Sequence, residues 1–159
     1  MILVRGRRVS GAIHDRRSAG RRGETTNGHA RRSSFSHPVL PRMGCTYLAP
    51  GSLDPVEVLE DIESGIYVRR LEAASADPAS GRATFRVTDA DRIVKSRLEA
   101  TLDPFLIDVS VVDSLPTMDR IANDLAFDSC IGSCVRDGQP LATSVGAPTF
   151  RVGLIRVVA

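Results

Sequence analysis

Between Arg16 and Pro50 the chain carries Arg, Ser, Gly, Thr and Pro at high density and lacks apolar periodicity. Such a stretch predicts a long irregular loop, because Gly and Pro punctuate regular structure and no apolar face recurs to be buried. A loop of that length inside a compact domain serves a function or leans on a neighbour. The same region concentrates charge. Met1–Arg42 holds ten of the twenty Arg and only Asp15 and Glu24 as acids, a local balance of +8, and Met43–Ala159 sums to −6. The expected organisation is therefore a basic hairpin and irregular loop over 1–50, part of the same domain as a folded body over 51–159.

The body shows short apolar runs separated by turn residues. Ile2-Leu3-Val4 and Val9 to Ile13 read as two strands around Arg5–Arg8, a hairpin with no preceding partner strand, which predicts truncation. Asp54 to Glu63 predicts a helix: Asp54 or Ser52 can cap it, Pro55 suits its first turn, Val58, Leu59 and Ile62 share one face, and Gly65 ends it. Ile66–Val68 and Ala83–Val87 read as strands around the turn Asp77–Gly81. Ile93-Val94 and Leu98 continue a sheet, and Leu106–Val112 alternates as a half-buried strand, with a helix as the open alternative. Leu115–Leu125 predicts a second short helix, and Phe150–Val158 a closing strand pair around Gly153. The fold class is α+β, mainly antiparallel, with one or two helices.

At 159 residues and 42% apolar content the chain can bury the core of one domain. Met1-Ile2-Leu3-Val4 is too short for a signal-peptide core, and no stretch reaches the length of a membrane span. Three cysteines, Cys45, Cys130 and Cys134, do not make a disulfide framework without a secretory leader, so a cytoplasmic location is expected. The basic arm invites a nucleic-acid reading, since guanidinium groups neutralise phosphates. Against it, the Arg pairs at 7–8, 16–17, 21–22 and 31–32 are spaced by Gly and Ser with only Phe35 as an interleaved aromatic. One Lys beside twenty Arg points instead to a coding bias, and Arg that pair across an interface account for the rest.

Candidate chemistry is sparse. His14, His29 and His37 stand in no HExxH or HExxxH frame, and the ordinary hydrogen-bonded histidine is the stronger reading for each. Cys130 and Cys134 are four apart, but Gly132 and Ser133 favour a loop between them. Asp15 and Asp124 suit capping or turn roles better than the orientation of a metal ligand. Glu57, Glu60, Asp61 and Glu63 read as the solvated face of the first helix, with no paired-carboxylate site.

The runs Gly11-Ala12-Ile13-His14-Asp15-Arg16-Arg17-Ser18-Ala19, Thr25-Thr26-Asn27-Gly28, Arg31-Arg32-Ser33-Ser34-Phe35, Pro41-Arg42-Met43, Thr46-Tyr47-Leu48-Ala49-Pro50-Gly51, Gly65-Ile66-Tyr67-Val68, Asn123-Asp124-Leu125 and Val145-Gly146-Ala147-Pro148-Thr149, in this order and spacing, resemble the TldD/PmbA family of zinc metallopeptidases, also called modulators of DNA gyrase. The resemblance implies that 51–159 is the family's C-terminal domain. It implies that Cys134, in Cys134-Val135-Arg136-Asp137-Gly138-Gln139, matches the third zinc ligand, two His and a catalytic Glu coming from an HExxxH helix in the preceding half. A zinc hydrolase needs about three protein ligands, so one thiolate here leaves zinc as a cofactor only if another chain supplies the HExxxH half. Leu71–Ser75 replaces a glycine-rich turn of the family, and Cys45 a polar amide.

The expected function is thus the C-terminal domain or fragment of a TldD-type metallopeptidase for short or unfolded peptides, inactive alone. Its expected partners are a complementary TldD-type N-terminal half or a PmbA-type subunit. The surviving Cys-x-x-x-Gly-Gln run favours the TldD type. The alternative is a non-catalytic scaffold or degenerate paralogue that binds a TldD/PmbA-type partner.

Overall fold

A computed structural model describes residues 1–129 and 132–158. Cys130, weighed above as a companion of Cys134, lies outside the described residues. Two compact units make up the chain: Met1–Ala49 with Leu125–Ala147, and Pro50–Asp124 with Pro148–Ala159. The α+β class holds. Antiparallel strands dominate, with two short α-helices, Arg16–Arg22 and Val111–Ser114.

The second unit is built on a five-stranded sheet. Arg156–Val158, Phe105–Ser110, Arg82–Val94 and Ser64–Asp77 lie side by side, and Arg97–Thr101 also pairs with Arg82–Val94. All of these pairings are antiparallel. Lys95 and Ser96, at φ 47° and 62°, make a two-residue turn whose twist matches the flanking strands. Val87, Ala90 and Ile107 form the buried cluster, with Val68, Phe85, Phe105 and Val109 packed on it. Burying a Val or Ile side chain contributes about 1.5–3 kcal/mol, so this cluster is the main apolar support of the sheet.

Two helices expected in this unit are absent. Asp54 and Glu57 do form a capping box, but the result is one 3₁₀ turn, Pro55–Leu59, after which Glu60 is extended and Asp61 sits at φ 63°. Glu60, Asp61 and Glu63 would crowd negative charge at the helix C-terminus, where the dipole disfavours it, and Val58 is the only residue of the turn to be buried. Leu115–Leu125 likewise gives a 3₁₀ turn, Leu115–Thr117, and then the strand Met118–Ile121. Pro116 lacks the N–H an α-helix would use, and Met118 and Ile121 find partners in Phe150–Val152. The strands flanking Gly153 therefore do not pair with each other, since Arg156–Val158 joins Phe105–Ser110.

In the first unit the stretch read as irregular contains a helix. Arg16–Arg22 is held by its ends: Asp15 and Ser18 form a capping box, and Gly23 closes the helix at φ 66°. Only Ala19 is buried, so no apolar period betrayed it. Short strands follow at Ala30–Arg31, Leu40–Pro41 and Cys45–Tyr47. The N-terminal hairpin is present but shorter than expected, Val4–Arg5 with Arg8–Val9. The main strand, Gln139–Ala147, runs antiparallel to Ala126–Phe127 and Gly132–Arg136 and parallel to Cys45–Tyr47. Gly132 and Ser133 are thus strand, not loop. Asp137 and Gly138, at φ 49° and 71°, supply the tight turn that sets their register.

Candidate site around Cys134

Cys134 lies mid-strand in Gly132–Arg136, opposite Leu141, and is half-buried. The turn Asp137-Gly138 returns the chain so that Gln139 pairs with Arg136. Gln139 is fully buried. Its Oε1 accepts the N–H of Ser33 at 3.2 Å, and its Nε2 donates to the Pro38 carbonyl at 3.2 Å. One amide thereby ties both ends of the segment 33–38 to the hairpin that carries Cys134.

Arg42 completes the support. It is 0% exposed, and Nη2 donates to the Gln139 carbonyl at 2.6 Å and to the Cys134 carbonyl. Its own N–H donates to His29 O at 2.8 Å. Nε and Nη1 are buried without a hydrogen-bond partner among the described residues. A buried cation is costly unless negative charge opposes it, and the Cys134 thiol stands beside it. The Arg42 guanidinium beside it first, then the Met43 N–H, hold that thiol below its usual range, with Arg31 adding a weaker attraction. The shift is toward the thiolate, the form of cysteine that acts as nucleophile or metal ligand.

The other residues singled out in the sequence are occupied elsewhere. His14 Nε2 lies 2.7 Å from Glu24 Oε2, His29 Nδ1 2.8 Å from Asn27 O, and His37 Nδ1 2.7 Å from Ser34 Oγ. Asp15 caps its helix, and Asp124 accepts the Thr149 N–H at 2.8 Å and hydroxyl at 2.7 Å. Cys45 is exposed. Among the described residues no three His, Cys, Asp or Glu side chains are placed to hold a metal ion. One thiolate does not fit a catalytic zinc ion, which takes about three protein ligands. Sequence reading did not single out Arg42 as the support beside Cys134, because nothing in Pro41-Arg42-Met43 marks the side chain as buried.

The described residues thus place one thiol, that of Cys134, on a hairpin braced by a buried Arg and Gln. The relatives are larger. The metalloprotease TldD homolog of Haemophilus influenzae is 26% identical over 156 residues, 98% of this chain and 32% of that protein. The zinc metalloprotease TldD homolog of Saccharolobus solfataricus is 27% identical over 136 residues, 85% of this chain and 30% of that protein. The fold matches the crystal structure of TldE from Thermococcus kodakarensis at TM-score 0.74 and 16% identity, over 95% of this chain and 32% of that one. The chain spans about a third of the length of the curated relatives it matches. The PmbA/TldA metallopeptidase C-terminal domain matches residues 2–159, nearly end to end, and the chain belongs to that family.

Proposed function

We propose that the chain is the C-terminal part of a TldD-type zinc metallopeptidase acting on short or unfolded peptides, and that Cys134 is the one metal donor it contributes. The observation that carries this reading is the thiol of Cys134 held low by the buried Arg42 on a braced hairpin. The family membership and the zinc metalloprotease name of the Saccharolobus solfataricus relative support the class of chemistry. On this reading an HExxxH-bearing half comes from a complementary TldD-type chain, or the assembly includes a PmbA-type subunit. The isolated chain is then inactive, and the location is cytoplasmic.

A second reading, a scaffold that binds a TldD/PmbA-type partner without catalysis, is favoured by the lack of three converging donors among the described residues. Mixing the chain with a TldD-type N-terminal half and measuring bound metal separates the two. The peptidase reading expects one zinc per complex, lost in Cys134→Ser. Complex formation with zinc content indifferent to Cys134→Ser favours the scaffold, and zinc bound with oligopeptide cleavage by the isolated chain overturns both.

A further inference from the structure

Phe35 is 88% exposed, yet it sits on a loop that is tied down at both ends. Gln139, itself buried, holds Ser33 on one side of it and Pro38 on the other. Within the loop, Arg32 Nη1 donates to Phe35 O at 3.2 Å and the His37 N–H to Ser34 O at 3.2 Å. Ser34 Oγ reaches Ser36 Oγ at 2.8 Å and His37 Nδ1 at 2.7 Å. An aromatic carried on a loop whose main chain is already ordered leaves only its side-chain rotamer freedom to be lost on binding. Buried aromatic anchors dominate protein interfaces. Phe35 is also the only aromatic in residues 1–46, which suits insertion into one pocket better than stacking along successive bases.

The same chain offers a receptor. The second unit carries a cavity of about 630 Å³ with Ile62, Ile66, Phe105, Phe150, Leu154 and Val157 on its wall. Asp61, Glu63, Asp119 and Arg151 also line it. Asp119 is taken by Arg151 and Asp61 by Arg120, whereas Glu63 makes no ion pair among the described residues. The Phe35 loop follows Arg31 and Arg32, so one copy offers an aromatic preceded by two cations and another offers an apolar cavity with the Glu63 carboxylate at its side. An anchor on one copy and a cavity on another need no particular arrangement of the two units within either copy.

We propose that Phe35 of one copy inserts into this cavity of a second copy. The contact involves neither Cys134 nor zinc, so it stands or falls apart from the peptidase reading. Sedimentation velocity on the full chain, over a concentration series to about 100 μM, a range that reveals contacts of micromolar Kd, tests it. Self-association is expected in the parent and in Phe35→Trp, and is expected to fall at least tenfold in Phe35→Ser and in Ile155→Asp, a substitution on the cavity wall. Mixing Phe35→Ser with Ile155→Asp is expected to restore a heterodimer, since each supplies what the other lacks. The surface position of Phe35 makes loss of fold in Phe35→Ser unexpected, and circular dichroism checks it. A parent that stays monomeric, or a self-association unchanged in Phe35→Ser, overturns the proposal. So does a monomer whose Phe35-dependent ligand is a single-stranded oligothymidine.

Discussion

The buried guanidinium of Arg42 donates to the main-chain carbonyl of Cys134 and at the same time lowers the pKa of the Cys134 thiol. One side chain therefore fixes where the sulfur-bearing strand lies and which protonation state the sulfur prefers. Position and charge are coupled through a residue that no solvent reaches.

The first consequence is a pH profile. In a Cys45→Ser, Cys130→Ser background, alkylation of Cys134 by iodoacetamide is expected to reach half-maximal rate below the ordinary thiol value of about 8.5, and to move up in Arg42→Gln. The stability sign follows from the same shift. A thiol whose folded pKa lies below the unfolded one contributes stability fully above the unfolded value and loses it as pH falls through the folded value. The gap in urea midpoint between this background and its Cys134→Ser derivative should thus widen as pH rises toward the ordinary thiol value of about 8.5. A constant gap, with alkylation at the ordinary thiol pH, would remove the Arg42–Cys134 coupling.

Bracing of the hairpin predicts losses of stability of a definite order. Gln139→Leu removes the partners of the Ser33 N–H and the Pro38 carbonyl; both residues are exposed and water can replace the amide, so each lost hydrogen bond costs about 0.5–1.5 kcal/mol. Arg42→Met strands the carbonyls of Cys134 and Gln139 but also removes a buried charge, so about 2–4 kcal/mol is expected. Both groups meet in one network, so the double variant should lose less than the sum. Urea unfolding of the two single variants and the double checks this, and strict additivity would mean the two residues act separately.

How much of this was legible in the sequence depends on what carries each element. The strands around Asp77–Gly81 and after Ile93 were readable because turn residues bracket apolar runs, and those turns form. The helix Arg16–Arg22 was hidden because capping by Asp15 and Gly23, not an apolar stripe, holds it. The helices read at Asp54–Glu63 and Leu115–Leu125 failed for the opposite reason. The Asp54 cap and the first-turn Pro55 and Pro116 form as read, whereas Ser114 makes no side-chain cap, and strand pairing at Ser64 and Met118 took the residues that would have extended both turns. At the site, Cys134 was visible through the order of the shared runs. Burial of Arg42 and Gln139 arises from contacts 92 to 106 residues apart, which no local pattern encodes.

Asp91 gives an acid-side prediction. It is 8% exposed, accepts from Arg69 and, at 3.1 Å, from the Thr101 hydroxyl, and so ties three adjacent strands. Arg69 chiefly, then Thr101, outweigh burial and hold its carboxyl below the usual carboxylate range. A depressed carboxyl pKa contributes stability above the unfolded value, about 3.9, and loses it as pH falls through the folded one. The urea midpoint of the parent should therefore fall more steeply below about pH 4 than that of Asp91→Asn, which cannot titrate there. Parallel curves would mean that the Arg69 contact is too well screened to matter.

Two glycines separate space from conformation. At Gly138, φ is 71° and a Cβ would meet nothing within 4 Å, so Gly138→Ala bears only the left-handed penalty, about 1–2 kcal/mol. At Gly51 no positive φ is involved, but a Cβ would run into the Ile121 carbonyl and come within 3.1 Å of the Ile121 Cβ. The Gly51 N–H donates to Ala122 O at 2.8 Å and the Ala122 N–H to Thr149 O at 2.8 Å. Ala122 is 0% exposed, so the neighbouring backbone has little room to retreat. Overpacking against backbone costs about 3 kcal/mol or more, and Gly51→Ala should lower the thermal midpoint further than Gly138→Ala. Equal shifts would show that 51 and 121 move apart at small cost, and that the bridge between Leu53 and Ala122 is not a fixed point of the second unit.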